Sequence, residues 1–439
     1  MLVFIRFTLF FVMIILLLMY LFTNIKFIGE GSIALHLLVF YVLLGGFLII
    51  LEIILKQNVY IKKSFLFLML FFTYFINNIT LNRPNDLKAL TLATTGGTIL
   101  FYILGSLISI NLLYIKEKIL TSNKMLNIFN FFYIAFSFIF FILFLNVFSV
   151  LMENVRKDVF LLNLDGMYQR PGNFLIISFL IYSFITALFL FVNKYIKKSK
   201  FVSLISFVLF CFYCLFIIGG MLLSQLIGSN NALINLVGLM FATLVFYILI
   251  NFTNSKNLLS QIKLNIKEIF LTKLSPKLFS SMAISLFILL FSFIGLTNFF
   301  NLDLSKFRIF GFGSGEISSI STRLSLWKNF IIHFEYNPIF GNMAVEYLTT
   351  GEGTYVHSFL ASLLTHLGII GFMIFFVYLF KAIKEKLKDI NNLYVDNLFT
   401  LYSLIVFVGI FIVASFGTFV TWAPIWFLLG LVFPPIVLK

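Results

Sequence analysis

Arg308, Arg323, Trp327, His333 and His357, with the run Asn337-Pro338-Ile339-Phe340-Gly341, fall in one polar stretch, residues 301–357, of an otherwise apolar chain. Arginine offers a rigid fork of donors that grips phosphate or carboxylate with two bonds. Histidine titrates near neutrality, so it can take or give a proton or bond a phosphate oxygen. Arg323 and His357 are therefore the pair expected to carry chemistry, with the arginine neutralising a pyrophosphate beside the imidazole. The plainer alternative is that Arg323 pairs with Glu316 or a lipid and that His357 is an interfacial residue.

Other groups carry weaker expectations. Glu346 and Glu352 are acids near the same segment, and either could act as a base, although a solvated loop charge is the favoured reading of both. His366 lies nine residues beyond His357, on roughly the opposite side of a regular helix, and is expected to be a buried structural histidine. His36 and His333 have no partner recognisable from spacing. Cys211 and Cys214 form a C-F-Y-C sequence inside an apolar run. A structural zinc wants four ligands, so these two are expected to be packing residues. The chain shows no His and carboxylate cluster at metal spacing, no P-loop and no GxGxxG fingerprint. No cofactor and no metal are expected.

The elements that must position these residues follow from composition. Of 439 residues, 61% are hydrophobic and 11% charged, far below the ~25% charged that a soluble domain carries. Runs of about 20 apolar residues recur, the length a helix needs to cross the hydrocarbon core. Strand-like alternation is missing from them, which argues against a spanning barrel. The expected fold is all-α: one integral membrane domain over 1–439 with about twelve transmembrane helices. These are read at 5–23, 33–55, 64–81, 89–115, 126–150, 174–193, 201–223, 232–251, 281–300, 358–380, 397–416 and 422–438. The first follows Arg6 without a small-residue cleavage site and reads as a retained helix.

Charge sets the orientation. With a cytoplasmic N-terminus, 21 of the 31 basic residues fall on the inner side, as the positive-inside rule requires. Both termini are then cytoplasmic, and residues 301–357 form a large outer loop between spans nine and ten. The net charge of +15 is thus an orientation signal, and no nucleic-acid partner is expected. Membrane lipid is the expected environment, and the inner segment 258–278, with Lys among Leu and Ile, reads as a helix on the anionic leaflet. Five of the six arginines (Arg83, Arg156, Arg170, Arg308 and Arg323) fall outside, which suits a phosphorylated ligand there unless so small a number sorts by chance. Within the outer loop a helix is expected over 322–334, with Leu324, Trp327, Ile331 and Phe334 as its apolar stripe. Pro338 ends that helix and Gly341 permits a turn.

The ordered pieces Arg323-Leu-Ser-Leu-Trp327, Asn337-Pro338-Ile339-Phe340-Gly341, His357-Ser358-Phe359-Leu360 and Leu367-Gly368-Ile369-Ile370-Gly371 resemble the O-antigen polymerase (Wzy-type) and O-antigen ligase family. Tyr168-Gln169-Arg170-Pro171-Gly172-Asn173 is similar to that family's outer Arg-x-Gly loop. The ordered match covers about 50 residues. Two departures stand out: Ser358 replaces the family's usual Asn after His357, and Asn230-Asn231 stand where an arginine is usual. Arg170, Arg308 or Arg83 would have to substitute. The resemblance implies a metal-independent glycosyltransferase of the bacterial inner membrane, acting at the periplasmic face on oligosaccharides carried by undecaprenyl pyrophosphate. It implies pyrophosphate held by Arg323, Arg170 and Arg308, and His357 orienting it or relaying the acceptor proton. Trp327, Pro338 and Gly341 would support the loop, and a chain-length regulator protein would be a partner. A polymerase is the favoured form. A ligase moving finished glycan to a lipid A core, and a lipid-linked sugar flippase, are the alternatives.

Overall fold

The structure, a computed structural model, describes residues 2–27, 34–54, 59–82, 85–120, 122–155, 162, 168–196, 200–252, 325–351, 354–390 and 396–438. Among them thirteen helices and one pair of short strands occur in the order α1 (Leu2–Lys26), α2 (Leu35–Ile54), β1 (Val59–Ile61), α3 (Lys63–Asn82), α4 (Asn85–Leu120), α5 (Asn123–Glu153), α6 (Gln169–Ile196), α7 (Lys200–Ile227), α8 (Asn230–Phe252), α9 (Asn329–Tyr336), α10 (Val345–Thr349), α11 (Phe359–Ile390), α12 (Asp396–Gly417), α13 (Ala423–Val432) and β2 (Ile436–Leu438). Nine of the described helices are long and apolar enough to cross a membrane. This is an all-α polytopic membrane protein. Helices prevail because hydrocarbon offers backbone groups no partner, so each segment must satisfy its own.

Three of the twelve expected spans stand apart from those nine. The run 281–300 lies outside the described residues, as does the inner segment 258–278. The second span has only Leu35–Leu51 as its apolar helix. The last, read over 422–438 from hydropathy, is a helix of 10 residues followed by a strand. Pro434-Pro435 explains the stop, because proline cannot continue the helical ladder.

The chain divides into two compact units. The first comprises Met1–Leu38, Ile115–Gly313 and Asp389–Val406, and its described core is α6, whose apolar window is buried throughout. Polar residues on these helices are spent inside the membrane. Ser178, Asn193 and Thr243 each bond the carbonyl one turn back. Asn130 and Asn193 exchange reciprocal amide bonds at 2.8 and 2.9 Å. The Tyr213 hydroxyl lies 2.8 Å from both Ser183 and Thr243, and Thr243 lies 3.0 Å from the Tyr402 hydroxyl.

The second unit comprises Val39–Tyr114, Ser314–Lys388 and Phe407–Lys439. Its core surrounds Trp426 on α13, whose ring packs on Phe71, Phe72, Phe359 and Phe375 while its N–H donates to Val420 O at 2.7 Å. α13 is buried on every side, as a helix apolar all round should be. It approaches α4 so closely that a Cβ on Gly105 would lie 2.0 Å from Phe427 O. Strand β2 runs antiparallel to β1, pairing Tyr60 with Val437, and Lys62 N donates to Pro435 O. Ser64, at the start of α3, donates its hydroxyl to Glu385 near the end of α11 at 2.6 Å.

Candidate functional site

The site region is built from the second unit's segment 325–357 and the first turns of α11. Helical residues 325–326 and a turn at 327–328 precede α9, with Lys328 N bonded to Ser325 O and Phe330 N to Trp327 O. Of the expected helix over 322–334, residues 322–324 lie outside the described residues, 325–326 are helical, and α9 runs from Asn329 to Tyr336 after the turn at 327–328. Trp327 and Ile331 are exposed, and His333 is the fully buried residue of α9. Apolar spacing marks a face to be buried in water-soluble folds, but beside lipid an apolar face can remain outward. Trp327 stands half-exposed against Phe330.

Tyr336 is the last residue of α9, and Pro338 follows two residues later. Asn337 closes the turn beyond it, its carbonyl accepting Gly341 N at 2.8 Å and its side chain accepting Phe340 N at 3.3 Å. Gly341 adopts φ +69°, as the turn requires. The turn seats on a break in α11, where Gly368 takes φ +63° and ψ −175°. That break releases backbone groups from the helical ladder, and the turn takes them up. Ile369 N donates to Pro338 O at 2.9 Å, Ile370 N to Ile339 O at 3.1 Å, and Asn342 N to Thr365 O at 3.3 Å. From α3, the Tyr74 hydroxyl and the Asn78 amide both donate to Phe340 O, at 2.6 and 2.9 Å. The two glycines meet backbone to backbone: a Cβ on Gly341 would lie 2.2 Å from Gly368 N.

Two residues above the break, at His366, sits a buried acid–imidazole pair. His366 Nε2 lies 2.8 Å from Glu346 Oε2, with His366 fully buried and Glu346 nearly so. Its Nδ1 faces Thr365 Oγ1 at 2.9 Å and Ser362 O at 3.2 Å. Thr365 gives its hydroxyl hydrogen to Ala361 O, and a carbonyl only accepts, so Nδ1 must carry its hydrogen. One proton is then shared between Nε2 and the carboxyl. Whether it resides on nitrogen or oxygen, the pair is neutral as a whole, which is how a carboxyl survives burial. His366 is thus buried and bonded as expected, whereas Glu346 is not a solvated loop charge. The hairpin of α10 brings it back onto α11.

His333 lies beside this pair electrostatically. Its Nε2 is 2.6 Å from Thr350 Oγ1, Thr350 bonds Thr354, and Thr354 donates to Gly351 O. Read from that last acceptor backwards, every hydroxyl hydrogen points away from the ring, so Nε2 is the protonated nitrogen and Nδ1 holds a bare lone pair. Nδ1 is buried without a hydrogen-bond partner. Burial pulls the His333 pKa below its ordinary value, the nearby His366 pulls it further, and Glu346 opposes them.

His357, half-buried where the chain enters α11, packs on Tyr355 at 4.6 Å between ring centres. Tyr355 packs on Phe419, and Phe419 meets the His366 ring edge-on at 4.8 Å. His357 and His366 therefore stand at two ends of one four-ring cluster. Arg308, Arg323 and Glu352 lie outside the described residues. Arg170 belongs to the first unit, where its exposed guanidinium bonds Asn24 Oδ1 at 3.0 Å and covers the Phe174 ring. Among the described residues no group of three or more His, Cys, Asp or Glu could hold a metal ion.

The structure thus joins Pro338 and Gly341 to Gly368, and His357 to His366 through aromatic rings. Glu346 and His333 were missed as partners. Twenty residues separate Glu346 from His366, and only the return through α10 brings them together. The one sequence signal was local: Glu346 follows the run Met343-Ala344-Val345, all buried. Among the described residues the site is that of a polytopic helical membrane protein with a polar pair lodged beside a broken spanning helix. Comparison with protein-family models, curated proteins and solved structures finds no match to this chain.

Proposed function

We propose that this protein is a membrane glycosyltransferase that polymerises lipid-linked polysaccharide repeat units of O-antigen or capsular type. It acts at the periplasmic face of the bacterial inner membrane. The growing glycan moves from undecaprenyl pyrophosphate to the sugar end of the next lipid-linked unit. In that reaction an acceptor hydroxyl oxygen attacks the donor's anomeric carbon, and the bond from that carbon to the pyrophosphate oxygen breaks. The electron pair leaves with lipid pyrophosphate, and the hydroxyl proton passes to a base. His357 is the base in this reading, a role worth about 10²–10⁴-fold in rate. Arg323, aided by Arg308 and Arg170, neutralises charge growing on the leaving group.

The observation that supports this reading best is the contact between pieces that carry the family resemblance. The Asn337–Gly341 turn packs on Gly368, and the helix bearing that glycine begins two residues after His357. Ionisable groups gathered at one end of a membrane helix are functional more often than structural. The test is complementation of a strain lacking the gene. The strain should make single-repeat glycan, and Arg323→Ala or His357→Ala should fail to restore polymer ladders while inserting normally. Full ladders from both variants would overturn the reading, and unattached long polymer in the null strain would show a ligase instead.

A further inference from the structure

We propose that the turn at residues 337–341 is a re-entrant element, sunk in the outer half of the bilayer with Ile339 and Phe340 against lipid hydrocarbon. The inference rests on depth, and it is independent of the reaction the site performs. Two helices measure that depth separately. On α11, Lys381 lies with its ammonium over the Phe67 ring of α3, and Glu385 accepts from Ser64. The Ser64–Glu385 bond marks the polar level at the end of the unit that carries Lys62 and Lys63, with Lys381 about 6 Å above it. From Glu385, level with Ser64, up to Gly368 is seventeen residues, about 26 Å at 1.5 Å per residue. From Ser64 up to Asn78, which holds Phe340 O, is fourteen residues, about 21 Å. Both values fall short of the ~30 Å hydrocarbon thickness. α3 itself continues above Asn78 to Asn82, and the sequence reaches the first outer charge only at Arg83. The turn therefore lies roughly 4–9 Å beneath the outer edge of the hydrocarbon core.

Two further features fit that position. Irregular backbone at membrane depth must have its polar groups satisfied by protein. Here the carbonyls of Pro338, Ile339 and Phe340 and the amides of Phe340, Gly341, Asn342, Met343 and Ala344 all have partners, several of them supplied by α3 and α11. A turn bathed in water has no need of such bonds. The side chains are the complement: Ile339 is 54% and Phe340 56% exposed. They continue the exposed apolar surface of the spanning helices, Leu66 and Leu70 on α3 and Ile369 and Met373 on α11. The occupant that matches such a surface is the acyl chains of the outer leaflet. A consequence is that the His366–Glu346 pair, held two residues above Gly368, also lies below the headgroups, where an unshared charge would be costly.

The test is spin labelling in lipid nanodiscs. Cysteine is placed singly at Ile339, Phe340, Met373 and Ile331 in a Cys211→Ala, Cys214→Ala background, and power saturation compares oxygen with a water-soluble nickel chelate. Oxygen should dominate at Ile339 and Phe340 as it does at Met373, with loss of the nickel accessibility that an aqueous turn would show. Nickel-dominated relaxation at either position would overturn the proposal. Hydroxyl-radical footprinting of the unaltered protein guards against a misfolded variant. Phe340 should be protected from oxidation relative to Trp327, and equal oxidation of the two would also overturn it.

Discussion

His333 illustrates how an unremarkable residue acquires a property from burial. It had no recognisable partner in sequence, because Thr350 and Thr354 follow only after a helix, a turn and a second helix. His366 was readable as buried from its position well inside an apolar run, and its burial is complete. Its partner was not readable, since a single glutamate in a polar loop carries no mark of tertiary contact. The lowered pKa of His333 has a consequence for stability. A histidine that is neutral when folded binds a proton more readily once unfolded, starting from the ordinary value of 6.5. The contribution is therefore whole above that value and is lost as pH falls below it toward the lower folded pKa. We expect the melting temperature of the purified protein to drop between pH 6.5 and 5, and His333→Gln to flatten that drop. Glutamine keeps a donor for Thr350 while removing the titration. A melting profile as steep in His333→Gln as in the parent would show that another group titrates.

Among the elements, the broken helix α11 and the turn that fills it are the most interdependent pair. Their components were visible separately: Asn337-Pro338 as a helix stop, Gly341 as a turn residue, and Gly368 within an apolar span. That they meet was invisible, because a glycine inside a span is compatible with helix, and hydropathy does not register which backbone groups are bonded. The same blindness made 422–438 read as a full span when α13 ends at Val432. Either glycine is expected to be irreplaceable. A Cβ at Gly341 meets Gly368 N at 2.2 Å and one at Gly368 meets Gly341 N at 2.4 Å, and both residues have positive φ. Backbone strain of this kind costs about 1–3 kcal/mol before the clash is counted. Gly341→Ala and Gly368→Ala should each lower the melting temperature and reduce the yield of monodisperse protein in detergent. Gly409→Ala on α12, where a Cβ meets nothing within 4 Å, should be neutral or stabilising by roughly 0.5–1 kcal/mol. Equal behaviour of all three variants would mean that the turn does not depend on this packing.

For the whole molecule, the all-α polytopic class was the property most legible in sequence, because apolar runs recur along the chain, and sidedness is an expectation from charge asymmetry summed over many loops. Contacts within the second unit add an independent constraint. The pairing of β1 with β2 brings the connection between α2 and α3 to the C-terminus, and the Ser64–Glu385 bond brings the end of α11 to the same level. Those three places must share one side of the membrane, while the turn on Gly368 and the entrance to α11 at His357 lie toward the other. From the lysines flanking the first group, Lys56, Lys62, Lys63, Lys384, Lys386 and Lys388, we expect that side to be the cytoplasmic one under the positive-inside rule. A green fluorescent protein joined after Lys439 should accordingly fluoresce in cells, and alkaline phosphatase joined there should be inactive. A membrane-impermeant thiol reagent applied to intact spheroplasts should modify a cysteine at Glu352 and spare one at Tyr60. Because β1 and β2 are hydrogen-bonded to each other, the two fusion reporters and the Tyr60 cysteine must agree. Active phosphatase together with a protected Tyr60 would break the strand pairing, whereas all markers reversed would keep the fold and invert its orientation, moving the candidate site to the cytoplasmic face.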